Sequence, residues 1–356
     1  MSLHYRRRLS DFKYGAVDGP VFLSISVTGW VLCREKTMIH LAALLSAATA
    51  AAPTQAPPPV ESFLEAPGPT GPLKGTMLSP GRNAPVVLMI PGSGATDRDG
   101  NNPHGMKAAT LKLLAEGLAT RGIATLRIDK RGTFASAGAV PDGNAVTIED
   151  YAADVHSWIG SVRHATGARC VWVLGHSEGG LVALVAGKED AAICGLVLVS
   201  TPGRPMGQVL AEQLKSNPAN APILGQALAA LSTLEAGRHV DVNTLNPALF
   251  PLFRPAVQNF LIDALAIDPT KLLAGFHKPV LIMQGERDLQ VGVKDAALLK
   301  QADPAATLVL LPDTNHVLKP VASDDRRANV ATYADPGLPL APGVVPAIAD
   351  FILSPP

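Results

Sequence analysis

The stretch VWVLGHSEGG, residues 171–180, constrains the fold of this 356-residue chain more than any other segment. Its first four residues are apolar, which is typical of a buried strand, and GHSEGG follows at once with three glycines. An apolar run with helical character comes next. Because glycine is unfavourable inside strands and helices, its clustering predicts a sharp turn where backbone segments approach closely. Ser177 lies at the tip of this turn.

From residue 73 onward, short apolar runs alternate with amphipathic runs. Such alternation predicts an α/β fold with a mostly parallel sheet whose two faces are covered by helices. The predicted strands are residues 85–91, 123–129, 170–175, 195–201, 279–284 and 307–312, and the helices between them include 107–122, 147–167 and 293–303.

Residues 203–277 interrupt the alternation. They contain no buried-strand pattern and indicate helices at 206–216, 223–237 and 255–266, separated by prolines. We interpret this segment as a helical cap inserted over one end of the sheet, because a loop of this length needs structure of its own. The predicted organisation is a leader and linker over residues 1–59 and one domain over residues 60–356.

The N-terminal region is typical of an export signal. Arg34 and Lys36 precede an apolar run that begins at Ile39, and residues 48–50 form a small-residue cleavage site. We therefore expect a periplasmic or secreted protein whose mature chain starts near Ala51. The alternative is a cytoplasmic protein with an alanine-rich tail.

Three further features qualify this interpretation. Met38 is an alternative start, and a second apolar run at 21–33 is an alternative signal. Neither run has the ~18 apolar residues of a spanning helix, so we expect no stable transmembrane segment. Residues 53–72 are rich in proline and are interpreted as a linker leading into the first strands.

Charge and cysteine content exclude other classes of protein. The formal net charge is zero, which gives no basis for binding nucleic acid. Three cysteines without a C-x-x-C pair favour neither a disulfide scaffold nor a metal site. Cys170 and Cys194 begin what should be neighbouring strands; a disulfide is possible in an exported protein, but we favour two buried thiols. No signal in the sequence fixes an oligomeric state.

Ser177 has the setting of a nucleophile. The pattern G-x-S-x-G between a strand and a helix exposes a serine hydroxyl at the carboxyl edge of a parallel sheet. A serine needs a histidine base that is oriented by an acid, and in this architecture the acid and then the histidine follow the serine along the chain. Of the histidines beyond Ser177, only His316 lies in a loop directly after an apolar strand.

The acid is less firmly determined by the sequence alone. The loop after the strand at 279–284 offers Glu286 and Asp288, and Asp263 and Asp268 of the cap are further alternatives. An oxyanion also requires backbone N–H donors. We assign the amide of Glu178, at the start of the helix after the elbow, and the amide of Ser93, in the loop after the strand at 85–91.

The segment around residues 97–102 resembles a calcium loop only in part. Asp97, Asp99 and Asn101 match its first, third and fifth positions, but the sixth and twelfth positions lack the required glycine and glutamate. We therefore expect no metal and interpret these carboxylates as partners of Arg131 that brace the loop. The side chains of His176 and Glu178 are interpreted as supports of the nucleophile.

Five motifs together give a specific resemblance. PGSGATDRDGNN, IDKRG, GHSEGG, GERD and TNHVL occur in the order and spacing of bacterial carboxylesterases of the α/β-hydrolase superfamily, from about residue 73 to the C-terminus. The resemblance implies an eight-stranded mostly parallel sheet, a cap after the sixth strand and no cofactor. It also implies a catalytic triad of Ser177, Asp288 and His316. Pro91 departs from the family, since many relatives have histidine there, and this affects the second oxyanion donor.

The function that the resemblance implies is hydrolysis of small carboxylic esters with short to medium acyl chains through an acyl-enzyme on Ser177. We assign Phe250 and Phe253 of the cap to the acyl pocket. A thioesterase, a peptidase or an acyltransferase would use the same triad, and a non-catalytic binding protein of this fold is the alternative from another class.

Overall fold

The computed structural model describes residues 58–188 and 192–354 of the chain. The predicted export signal, its cleavage site and the alternative start at Met38 lie outside the described residues. Within the described ranges, no helix combines the length and the apolar character needed to cross a membrane.

Eight strands form one twisted layer at the centre of the fold. Their spatial order is β1-β2-β4-β3-β5-β6-β7-β8; β2 runs antiparallel to both neighbours and the remaining pairs are parallel. The strands are β1 Val60–Ala66, β2 Leu73–Ser79, β3 Val86–Ile90, β4 Ala124–Ile128, β5 Val171–His176, β6 Ile193–Val199, β7 Val280–Gly285 and β8 Thr307–Leu311. The order and the parallel pairing confirm the predicted fold class.

Helices cover both faces of this sheet. Those of the described part are α1 Thr110–Thr120, α2 Ile148–Thr166, α3 Glu178–Ala186, α4 Met206–Ser216, α5 Leu224–Glu235, α6 Phe250–Phe253, α7 Pro255–Leu265, α8 Pro269–Ala274, α9 Val293–Ala302, α10 Arg326–Ala331 and α11 Val344–Leu353. Helix α2 shows why these boundaries are sharp. Thr147 and Asp150 form a capping box at its start, and Gly167 ends it in the left-handed conformation.

The central strands alternate between two apolar cores, as the two-residue period of a strand requires. In β3, Leu88 belongs to the core formed with α2 and α3, whereas Val87 and Met89 belong to the core formed with α1 and α11. All five residues of β3 are buried. This explains why the strand is an unbroken apolar run in the sequence.

Strand β1 corrects the prediction of a linker over residues 53–72. Val60–Ala66 pairs antiparallel with β2 over its whole length, although only Ala66 is buried and Phe63 is 83% exposed. An edge strand exposed to solvent is held by backbone hydrogen bonds and lacks the apolar pattern of the central strands. The predicted start of the domain at residue 60 coincides with β1.

The segment between β6 and β7 contains helices α4 to α8 and has an apolar core of its own. The buried members of this core are Ala227, Ala230, Leu231, Leu234, Leu249, Phe253 and Leu265. The predicted helices at 206–216, 223–237 and 255–266 correspond to α4, α5 and α7.

A disulfide joins Cys170 and Cys194, whose Cα atoms are 5.2 Å apart. The prediction of two buried thiols is therefore wrong. Cys170 directly precedes β5, and Cys194 is the second residue of the neighbouring parallel strand β6, so the two side chains lie next to each other. The bond links the two strands at the end of the sheet opposite to Ser177.

Candidate active site

The turn at Ser177 requires the glycines that the sequence places around it. Ser177 adopts φ +56° between β5 and α3, a conformation that L-residues rarely adopt. A Cβ on Gly175 would overlap the carbonyl group of Gly179, and a Cβ on Gly180 would overlap the side chain of Thr201. Only glycine allows α3 to start this close to the neighbouring backbone, so the serine is held in a strained exposed turn.

The acid and base lie in contact after β7 and β8. His316 Nδ1 is 2.7 Å from Asp288 Oδ2, and the Asp288 side chain is fully buried. Asp288 also accepts hydrogen bonds from the backbone of Gln290 and Val291 at 2.8 and 2.9 Å and from Gln284 Nε2 at 3.0 Å. Four hydrogen bonds therefore fix the carboxylate in one orientation toward His316.

The pKa of Asp288 reflects these contacts. Burial alone would raise it, but the adjacent His316 and the hydrogen bonds to the carboxylate outweigh burial and lower the pKa below its ordinary value. Asp288 is thus ionised at neutral pH. An ionised partner at Nδ1 stabilises the imidazolium that forms when Nε2 accepts a proton.

The three alternative acids do not take this position. Glu286 is exposed and next to the turn, Asp263 accepts a hydrogen bond from the backbone of Ile148 at 2.7 Å, and Asp268 caps the start of α8. Of the four acids considered, the structure brings only Asp288 into contact with His316.

His176 supports the base from the side of the nucleophile. Its Nε2 is 2.8 Å from the carbonyl oxygen of His316, and the two rings are 4.9 Å apart. Burial, followed by repulsion from His316, lowers the pKa of His176 to about 4. The ring is therefore neutral at neutral pH and donates Nε2–H to that carbonyl.

A cavity of about 440 Å³ opens over Ser177. Ser93, Ser177 and His316 line it together, so the predicted nucleophile, base and one oxyanion residue face the same space. The other lining residues come mainly from residues 100–111, which lead into the start of α1, and from the segment at 330–334. They are Gly92, Thr96, Gly100, Asn102, His104, Gly105, Met106, Thr110, Leu111, His176, Gln290, Val317, Val330, Tyr333 and Ala334.

The assignment of Phe250 and Phe253 to the substrate pocket is wrong. Phe253 is fully buried in the core of the helical insertion, and Phe250 is 51% exposed. Neither is among the residues that line the cavity. Phe253 packs with Leu231 and Leu234 in the core of the insertion, whereas Phe260 of the same insertion packs against the core between the sheet and α2.

Tyr333 and Met106 are cavity residues that sequence reasoning missed. They belong to segments with no periodic pattern, and the contact between these segments is not local: the backbone N–H of Lys107 donates to Tyr333 O at 2.7 Å. Gln290 Nε2 donates to the Tyr333 hydroxyl at 3.1 Å and closes this side of the cavity. No local signal in the sequence identifies these residues.

The loop that carries Ser93 is braced, but not by the predicted partners. Asp99 pairs with Arg127 of β4 instead of Arg131, and Asp97 accepts hydrogen bonds from the backbone of its own loop. Arg131 instead binds Asp154 of α2 through two hydrogen bonds of 2.7 and 2.6 Å. The two arginines differ in position: Arg127 lies within β4, whereas Arg131 lies beyond the end of that strand and faces α2.

The sheet order, the strained serine elbow after β5 and the acid–base pair after β7 and β8 are those of the α/β-hydrolase fold. A family model described as serine aminopeptidase, S33, matches residues 104–249. The match includes Ser177 but ends before Asp288 and His316.

One curated protein is similar in sequence to this chain. The chain is 29% identical to the esterase EstD of Thermotoga maritima over 239 residues, which are 66% of this chain and 54% of that protein. The chain therefore spans about half the length of this curated relative.

Solved structures share the fold at low sequence identity. The α/β hydrolase GrgF from Penicillium sp. sh18 aligns with a TM-score of 0.54 and 18% identity, over 82% of this chain and 98% of that one. Est1E from Butyrivibrio proteoclasticus aligns with a TM-score of 0.50 and 16% identity, over 83% and 99%. At these identities the likeness concerns the fold.

Proposed function

We propose that the chain is a serine esterase that hydrolyses small carboxylic esters through an acyl-enzyme on Ser177. One observation carries the proposal: the hydrogen-bonded pair of Asp288 and His316 borders the cavity into which the strained Ser177 turn projects. The likeness to the esterase EstD supports the same reaction.

Acylation begins when the Ser177 hydroxyl attacks the ester carbonyl carbon. His316 Nε2 accepts the hydroxyl proton, and the ionised Asp288 stabilises the resulting imidazolium. The carbonyl π electrons move to oxygen, and the backbone N–H groups of Ser93 and Glu178 stabilise this oxyanion. Collapse of the intermediate breaks the bond to the alcohol oxygen, which takes its proton from His316.

Deacylation repeats these steps with water. His316, neutral again, removes a proton from a water molecule that attacks the acyl carbon, and a second oxyanion forms in the same position. Its collapse breaks the bond to Ser177 Oγ, which regains its proton from His316. The carboxylic acid then leaves, and the protein returns to its starting state.

The size of the cavity favours short to medium acyl chains. A volume of about 440 Å³ lies toward the lower end of ligand pockets, which span ~300–1,000 Å³. Met106, Val317 and Val330 supply apolar lining, whereas Asn102 and Tyr333 supply polar groups. We infer that an ester with a few carbons on either side of the carbonyl fits this space.

An aminopeptidase is the second candidate, because the matching family model carries that description. The same triad can cleave an amide, and an aminopeptidase would in addition need a group in the cavity that binds the free α-amino group of its substrate. We favour the esterase, since EstD, which matches 66% of this chain, is an esterase and none of the described residues that line the cavity offers a carboxylate for an ammonium.

The compartment is a separate proposal. We infer an exported protein, because the sequence before residue 51 resembles a signal and disulfides such as Cys170–Cys194 persist in oxidising compartments. Fractionation of the expressing cells with N-terminal sequencing tests it. A mature N-terminus near Ala51 in the exported fraction is expected; an unprocessed protein in the cytoplasm with free thiols would contradict it.

The activity is tested with p-nitrophenyl acetate and butyrate. Wild-type protein should hydrolyse both, and Ser177→Ala should lose at least ~10³-fold in kcat, because the acyl-enzyme is no longer formed. Ser157→Ala, on α2, is the control for serine substitution and should retain full activity. Equal rates for wild type and Ser177→Ala would reject the esterase, and cleavage of aminoacyl p-nitroanilides in preference to esters would favour the aminopeptidase.

A further inference from the structure

Lys130 is a buried cation that the mechanism above does not use. It follows β4, and its Nζ donates hydrogen bonds to the carbonyl oxygen of Gly92 at 2.7 Å and to Glu178 Oε1 at 3.1 Å. Its side chain is 2% exposed and that of Glu178 is 4% exposed. Nζ also lies 5.1 Å from the centre of the Tyr151 ring.

These two contacts link Lys130 to both of the assigned oxyanion donors, the N–H groups of Ser93 and Glu178. The carbonyl of Gly92 and the N–H of Ser93 are the two ends of one peptide group. Glu178 contributes its backbone N–H as the other donor and its carboxylate as the partner of Lys130. One ammonium therefore bridges the loop after β3 and the first residue of α3.

The planarity of the peptide group makes the contact at Gly92 directional. In a trans peptide the C=O and N–H bonds point in opposite directions, so a fixed oxygen also fixes the N–H of Ser93. Among the described residues there are no cis peptide bonds. A cation on the oxygen also polarises the amide and strengthens its N–H as a donor.

Gly92 lies against the nucleophile. A Cβ built on Gly92 would be 3.4 Å from Ser177 Cβ and 3.5 Å from the carbonyl oxygen of His176. Movement of the Gly92–Ser93 peptide would therefore change the space in which the oxyanion forms.

The charge of Lys130 has a second effect. An unpaired carboxylate on the first residue of α3 would repel an oxyanion formed beside the same residue's N–H, and the repulsion would be strong in a buried site. Lys130 neutralises that carboxylate. A buried ion pair is in general a weak source of stability, so its worth here lies in what it positions.

We propose that Lys130 is a positioning residue for the oxyanion hole: its ammonium orients and polarises the Gly92–Ser93 peptide and neutralises Glu178, so that both N–H donors face the oxyanion. This role rests on the proposed esterase function.

The test compares two buried ion pairs whose cations, Lys130 and Arg131, are adjacent in the sequence. Lys130→Met/Glu178→Gln removes the pair that contacts Gly92, and Glu178→Gln alone leaves the ammonium in place. Arg131→Met/Asp154→Asn removes the neighbouring pair, which binds α2 and not the loop with Ser93. Each double variant removes both charges, so neither leaves a buried charge unpaired.

We expect Lys130→Met/Glu178→Gln to lower kcat for p-nitrophenyl butyrate by about 10- to 100-fold relative to Glu178→Gln, with KM changed by less than about threefold. Affinity for a trifluoromethyl ketone, which forms a tetrahedral adduct with the serine, should fall by the same factor. Arg131→Met/Asp154→Asn should lower Tm but keep kcat within about threefold of wild type.

Two results would overturn the assignment while leaving the esterase intact: equal kcat for Lys130→Met/Glu178→Gln and Glu178→Gln, or an equal loss of kcat in Arg131→Met/Asp154→Asn at a similar Tm. A wild-type protein without esterase activity would instead reject the proposed function. The two failures are therefore distinguishable.

Discussion

Different interactions stabilise the helical insertion and the carboxyl end of the sheet. The insertion between β6 and β7 has an apolar core around Phe253 and Leu234. At the strand ends, buried polar groups make directed contacts, which are Lys130 with Glu178, Arg131 with Asp154, Asp288 with His316 and His176 with His316. Among the residues that line the cavity, none comes from the insertion.

This difference suggests that the insertion contributes mainly to the stability of the fold, and the strand ends to catalytic activity. Apolar packing depends on area and volume and tolerates exchange of one apolar residue for another. Hydrogen bonds to a buried charge depend on distance and angle, which suits groups that must point at a reacting atom. We therefore expect substitutions in the insertion to change stability, and substitutions at the strand ends to change activity or its dependence on pH.

The largest expected effect on stability is that of Phe253→Ala. Removing a fully buried phenylalanine should lower the free energy of unfolding by about 3–5 kcal/mol. Denaturant unfolding gives this value, and kcat/KM for p-nitrophenyl esters below the transition should remain within about twofold. Phe250→Ala, at a 51% exposed side chain, is the control and should cost less than about 0.5 kcal/mol. A change of acyl-length preference in Phe253→Ala without loss of stability would return Phe253 to the substrate site.

A smaller effect concerns His176 and pH. Its pKa is lowered from 6.5 to about 4 in the folded chain, so the unfolded chain binds a proton between these values and the folded chain does not. Stability should therefore rise with pH between about 4 and 6.5, by about 3 kcal/mol at most from this group. Unfolding measured at pH 5 and pH 7.5 detects the slope.

His176→Gln sharpens this test, because it retains a side-chain N–H donor near the carbonyl of His316 but does not titrate. The variant should lose that part of the stability difference between pH 5 and pH 7.5. If wild type and His176→Gln show the same difference, His176 is not its source.

The smallest effect concerns substrate selectivity. Met106 lines the cavity, and Met106→Ala should raise the ratio of kcat/KM for p-nitrophenyl octanoate to that for acetate by about tenfold, since added space accommodates a longer chain. Met206→Ala is the matched control: Met206 is half-buried on α4 and packs in the insertion. Equal changes in the two variants would mean that the insertion also shapes the acyl site.

The features that could be predicted from the sequence are those that depend on interactions within one short segment. The apolar central strands, the glycine elbow and helices such as α4 follow from period, capping and steric space within one short segment. His316 was accessible too, because position after a strand decides which residues reach the carboxyl edge of a parallel sheet. The same position offered Glu286 as well as Asp288, and the family resemblance decided for Asp288.

Features that join distant segments were not accessible in this way. Strand β1 is exposed and carries charged side chains, so its pairing with β2 leaves no apolar pattern. The contact of Lys130 with Gly92 and the cavity residue Tyr333 depend on how separate loops meet. Phe253 was misassigned because the pattern of an apolar segment does not distinguish a core from a pocket.

The proposed reaction requires that Ser177 is a nucleophile activated by His316 and Asp288. Labelling with a fluorophosphonate, followed by mass spectrometry of the digested protein, tests it most directly. We expect that the probe modifies Ser177 in the wild type, that Ser177→Ala is not labelled, and that His316→Ala and Asp288→Asn are labelled at least ~10²-fold more slowly. Labelling of another residue, or equal rates in the wild type and His316→Ala, would show that this triad does not activate Ser177.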